Sequence, residues 1–158
     1  MNLRGSTFDK IDLQVIRWMS RNGLFLLRIS ISVIFIWFGA LKFFPGASPA
    51  ESLAYRTIEA LTFGLFGEQT ILYGLAIWEV VIGLGLLTKR FMREILLLMY
   101  LQMAGTLTPL FIFPEETFHI FPYSLTLEGQ YIVKNLVVIS AGIVLGATVR
   151  GGKLVVTS

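Results

Sequence analysis

The sequence has no cysteine and a single histidine, His119. Without thiols, the chain by itself can form no disulfide, thiol redox couple, iron–sulfur cluster or thiolate metal site. One histidine also rules out a bis-histidine haem within one chain. His119 stands near Glu115 and Glu116, but an ordinary loop accounts for those residues equally well, so no metal ligand is assigned. Charge is scarce as well: 15% of the 158 residues are charged against 55% hydrophobic, and the mean hydropathy is +0.75. This balance lies outside the soluble globular range and marks an integral membrane chain with no room for a separate soluble domain. No nucleotide-binding loop or Ser/His/Asp set is present. Gly83 and Gly85 fall inside an apolar run without the strand that a dinucleotide fingerprint requires. No catalytic residue is therefore assigned. The net charge of +3 would point to nucleic acid in a soluble protein, but here the cations flank apolar segments, and membrane insertion accounts for them.

Four apolar runs can be read as membrane spans, at about 23–44, 70–88, 92–113 and 130–149. They predict an all-α fold, a single membrane domain over 1–158 in the form of an integral membrane four-helix bundle. In the first span Arg28 and Lys42 are fourteen residues apart, about 40° around a helix axis, so they share a face with Ser32, Phe35 and Gly39. A face that is polar at both ends belongs against protein rather than lipid. The arm before it, 1–22, has the makings of a short amphipathic surface helix. The run that follows is too long and too charged for a cleaved leader. Pro45 and Gly46 stop the first span, and Ser48, Pro49 and Glu51 open a short interfacial helix over about 49–63. Segment 114–129 is expected to be an apolar loop folded over the bundle mouth, with Thr126 and Glu128 starting the last helix. Pro109 should loosen the end of the third span.

Nine Lys and Arg residues lie in the N-terminal arm, the turn at Lys89–Arg93 and the C-terminal tail, against Arg56 alone on the other side. The positive-inside rule then puts both termini in the cytoplasm and the interfacial helix and apolar loop outside. With that topology Arg28 and Glu94 fall near the inner boundary, as a structural ion pair. Lys42, Glu79 and Lys134 form a second group in the outer half, with Asn135 and Trp78 as further candidate ligand contacts. Such a pocket could accept a proton or attract an anion. Gln102 is the expected glue between helices.

Three stretches carry a resemblance: Arg28 with WFGALKF (Trp37 to Phe43), Gly74 with Trp78–Glu79 and Gly83, and EGQYIVKNLVVISAG (Glu128 to Gly142). Together they resemble the DoxX-like superfamily of small four-helix membrane proteins, and within it the YkgB branch, which includes the reactive-chlorine-resistance membrane protein. The resemblance implies a bacterial inner-membrane protein that serves as a subunit or accessory of a membrane redox or oxidative-stress system. It also implies a quinone-like or small anionic ligand as the natural occupant of the outer-half pocket, with the bilayer and a redox-enzyme subunit or a second copy as partners. Two other classes fit the residues: an oligomeric proton-coupled transporter working through Glu79, and an assembly protein whose charges only specify packing.

Overall fold

The computed structural model describes residues 7–44, 46–48 and 51–154; Pro45, Pro49 and the first six residues of the N-terminal arm, with its Arg4, lie outside them. The protein is mostly helical. Helix α1 (Thr7–Leu41) is followed by α2 (Glu51–Leu61), α3 (Glu68–Thr88), α4 (Met92–Leu107) and the short α5 (Pro109–Ile112) and α6 (Pro114–Thr117). A hairpin of β1 (Phe118–Ile120) and β2 (Ser124–Leu125) leads into α7 (Leu127–Gly146) and a 3-10 turn at Val149–Gly151. Four helical segments, Phe8–Leu41, Glu68–Thr88, Met92–Ile112 and Leu127–Gly146, are long and apolar enough to cross a membrane. Their outward faces carry exposed Val33, Trp37, Ile77, Leu84, Leu97, Val137 and Ile143, a surface suited to lipid. Length and composition thus describe a multi-pass membrane chain.

Two expectations are corrected in detail. The N-terminal arm, from Thr7 on, is not a separate surface helix: it continues into the first span as one helix of 35 residues, about 52 Å long and well over a hydrocarbon core of about 30 Å. Nothing between Phe8 and Leu41 breaks the helix, because no proline and only two glycines interrupt it. The segment 114–129 is not a plain loop either. Its backbone pairs as α6 and a hairpin with Phe118 opposite Leu125 and Ile120 opposite Ser124. Thr126 starts α7 as expected, its hydroxyl accepting from the Gly129 amide at 3.1 Å. Pro109 does divide the third span, standing at the first position of α5.

The packing follows a ring in which α1 lies against α3, α3 against α4, α4 against α7, and α7 against α1. All four contribute to one core, with Ile31 and Phe35, Ile82 and Leu86, Ile95, Leu96, Met99 and Met103, and Ala141 and Leu145. The closest approach is between α1 and α3, and two glycines permit it. A Cβ on Gly39 would stand 2.8 Å from the Glu79 Cβ and 3.1 Å from the Ala76 carbonyl oxygen. One on Gly83 would stand 2.9 Å from both the Ile36 nitrogen and the Ser32 carbonyl oxygen. Backbone meets backbone there, so neither side can move aside cheaply. The shared face read from spacing in α1 is inside this contact: Arg28, Ser32, Phe35 and Gly39 are all buried.

Gly39→Val should force α1 off α3 and destabilise the fold by about 1–3 kcal/mol, the usual range for overpacking. Thermal unfolding in a mild detergent checks this, with Gly23→Val, where nothing lies within 4 Å of an added Cβ, as the neutral control.

Candidate functional site

Lys42 is the first residue beyond α1, its amide donating to the Gly39 carbonyl at 3.2 Å as the helix turns out. Because Gly39 lets α1 rest on α3, the Lys42 ammonium reaches Glu79 on α3. Nζ and Oε2 are 2.7 Å apart, and the side chains are only 9% and 11% exposed. Nζ also donates to the Phe38 carbonyl at 3.3 Å. The second carboxylate oxygen, Oε1, accepts from Gln102 Nε2 at 2.6 Å, which brings α4 into the cluster. An isolated charge at this depth would cost about 3 kcal/mol or more, so both the ion pair and the amide hydrogen bond are needed to hold the carboxylate there. Since Glu79 accepts, Gln102 must turn its NH2 towards it. Its Oε1 is then left buried and without a partner among the described residues, at a cost of about 1–3 kcal/mol for a lost acceptor.

The cluster forms the polar corner of a cavity of about 580 Å³. Its walls are Leu53, Thr57, Ile58 and Leu61 of α2, Ile71, Gly74, Leu75 and Trp78 of α3, Leu101, Gln102, Gly105 and Thr106 of α4, with Pro109 and Ile132. Among the described residues that line it, Lys42 and Glu79 are the only charged ones. The polar threonines are largely occupied at home: Thr57 donates to the Leu53 carbonyl at 2.6 Å and Thr106 to that of Gln102 at 2.8 Å. Six of the lining residues are exposed: Leu61, Phe66 and Thr70 between α2 and the start of α3, and Gly74, Trp78 and Leu101 on α3 and α4. Trp78 links α3 to α4 by donating from Nε1 to the Leu98 carbonyl at 3.2 Å. Helix α2 covers the remaining side. It packs on α3 and α5 and is tied to α6 by an Arg56–Glu116 ion pair, with the Arg56 guanidinium 5.5 Å from the centre of the Phe113 ring. On the same helix Tyr55 donates to Glu59 at 2.6 Å, and that bond raises the phenol pKa above its ordinary value.

The structure brings together Lys42, Glu79 and Trp78 of the expected ligand residues. Lys134 stands elsewhere: it is exposed, with its ammonium 5.3 Å from the centre of the Tyr131 ring one turn back on α7. Asn135 is half-buried and does not line the cavity. The expected Arg28–Glu94 ion pair does not form. Arg28 instead donates through Nη1 to the Leu86 and Leu87 carbonyls at 2.6 and 2.7 Å, and Glu94 is exposed. The cause is the close α1–α3 contact: it sets Arg28 beside the C-terminus of α3, where unpaired carbonyls and the negative end of the helix dipole attract a cation. Gln102 and α2 take a larger part in the cavity than their sequence signals imply. The fourfold spacing of Leu53, Thr57 and Leu61 was a signal that α2 has a face to bury, though not of what lies beneath it. Among the described residues no group of three or more His, Cys, Asp or Glu side chains comes together.

Lys42→Met alone should destabilise the protein by about 3–5 kcal/mol, because it strands a buried carboxylate. Adding Glu79→Gln should recover more than half of that loss. Equilibrium unfolding in mixed micelles measures both, and equal losses for the single and the double variant would contradict a coupled pair.

No family model matches the chain, and no curated protein or solved structure matches it either.

Proposed function

We propose that the chain is a multi-pass membrane protein that binds a membrane-soluble amphiphile, head group at Lys42–Glu79–Gln102 and tail along the apolar wall. The observation that carries this reading is the distribution of polarity in the cavity. One charged pair with one amide occupies a corner, the other surfaces are mostly apolar, and exposed residues of α3 and α4 stand among the walls. Ligand pockets commonly combine such an apolar lining with a few convergent polar groups. Because Glu79 neutralises Lys42, the corner carries little net charge, which favours a neutral head over a small anion. Lys42 has a donor to spare for a carbonyl or hydroxyl oxygen, and the unpartnered Gln102 acceptor favours a head that also brings a hydroxyl.

A quinone or its reduced hydroxylated form suits these groups and the volume. The resemblance to the DoxX-like superfamily points the same way, to a bacterial inner-membrane accessory of a redox or oxidative-stress system. When bound, such a ring would supply the electron and proton carrying that the side chains lack. The chain's own part is to hold the head against Lys42, keep water from the apolar wall and admit the ligand from the bilayer. The distribution of Lys and Arg supports an orientation with both termini cytoplasmic, which sets the cavity in the outer half of the membrane.

Trp78 reports on the site once Trp18→Phe and Trp37→Phe remove the other two tryptophans. A short-tailed benzoquinone should quench it saturably. Ala54→Phe, which fills the cavity, and the paired Lys42→Met/Glu79→Gln variant should each weaken binding about tenfold, the loss of about 1.4 kcal/mol of contact. Quenching that is unsaturable, or unchanged in both variants, would overturn the proposal.

A further inference from the structure

At the opposite end of the bundle a second cavity, about 450 Å³, lies between α4 and α7. Arg93, in the first turn of α4, and Arg150, in the turn after α7, stand at its end. Leu96, Leu97, Tyr100 and Gly146 continue it along the two helices. Both arginines are exposed, and among the described residues neither has an acidic partner: the ion pairs are Lys42–Glu79 and Arg56–Glu116. Among the described residues no carboxylate lines this cavity. Arg93 sits at the positive end of the α4 dipole, where a cation is disfavoured unless an anion accompanies it. Arg150 has a left-handed backbone, φ 59 and ψ 31, which residues other than glycine seldom adopt. The Tyr100 hydroxyl makes no hydrogen bond with any described residue, and a Cβ on Gly146 would lie 3.9 Å from it. The groove is therefore cationic at one end and apolar along its length, with one spare donor beside Gly146.

We infer that this groove holds an anionic phospholipid of the bilayer. Its phosphate sits between Arg93 and Arg150, the Tyr100 hydroxyl donates to the polar part of the glycerol ester, and an acyl chain runs along Leu96, Leu97 and Gly146. Arginine suits this role because its fork of donors matches phosphate oxygens two at a time. Basic pockets between membrane helices recognise anionic head groups in the same way. A soluble anion would use the guanidinium groups and leave the apolar length unfilled. This inference rests on the multi-pass membrane reading proposed above, but not on the ligand of the larger cavity.

The full chain can be reconstituted in nanodiscs of equal phosphatidylglycerol and phosphatidylcholine, released into mild detergent, and weighed by native mass spectrometry. Retained phosphatidylglycerol should exceed phosphatidylcholine about thirtyfold, as about 1 kcal/mol for each of two basic residues implies. Arg93→Gln with Arg150→Gln should bring the two lipids to parity. Lys89→Gln with Arg90→Gln removes the same charge at the same end without touching the groove, and should keep the preference. Gly146→Leu, with the charges intact, should lower retention of both lipids by obstructing the chain. Parity in the unaltered protein, an equal loss in the Lys89/Arg90 control, or dimers rather than lipid as the species lost with Gly146→Leu would each overturn the inference. Extraction of the protein from vesicles by alkaline carbonate would instead overturn the membrane reading itself; a chain that resists extraction yet shows no lipid preference sinks the groove alone.

Discussion

A lysine and a glutamate in apolar surroundings are tolerated together far better than apart, and the Lys42–Glu79 contact is the constraint to which much of the architecture answers. For the ammonium to reach the carboxylate, α1 must lie nearly backbone to backbone on α3, which requires glycine at 39 and 83. That same approach delivers Arg28 to the end of α3, where it satisfies two carbonyls that the helix cannot. It also fixes Glu79 where Gln102 can reach it, so α4 joins through a hydrogen bond as well as through packing. One close helix contact thus organises the polar groups at both depths.

The two ends of the bundle are built differently. Around Arg28 the four helices meet in a continuous core of Ile31, Ile82, Leu86, Ile95, Leu96, Met99 and Leu145. Towards Lys42 the walls of α3 and α4 leave a cavity between them, and α2 covers it. The Arg56–Glu116 ion pair that holds α2 to α6 is partly exposed, with side chains 43% and 31% accessible, so it contributes little, within about 1 kcal/mol. The packing of Leu53 and Thr57, rather than this ion pair, is what seats α2 over the cavity. The proposed function draws on that difference: a rigid polar corner, an apolar chamber and a side that faces lipid.

The apolar runs made the four long helices legible, and the fourteen-residue spacing of Arg28 and Lys42 made the buried face of α1 legible, because both follow from helical period alone. Capping by Thr126 and the break at Pro109 were readable for the same local reason. What periodicity leaves open is which helices touch. The arginine at 28 was assigned to Glu94 by depth, but depth does not say which neighbour is nearest, and the α3 carbonyls stood closer. Lys134 was grouped with Lys42 and Glu79 on the same ground, yet its side of α7 is exposed and its ammonium lies over Tyr131. Gln102 could be recognised as a polar residue within a span, but its role depends on Glu79 being directly across from it. The hairpin after α6 had no clear signal, since the two strands have only three and two residues.

The central claim is that the cavity beside Lys42, Glu79 and Gln102 is a ligand site open to the bilayer. A cryo-electron microscopy map of the protein in native lipid, made large enough by a rigid binding fragment, tests it most directly. The account predicts density in the cavity with a compact head within hydrogen-bond distance of Lys42 Nζ or the Gln102 amide and a tail leaving between Trp78 and Leu101. Density absent from that corner, with α2 collapsed onto α3 and α4, would contradict it.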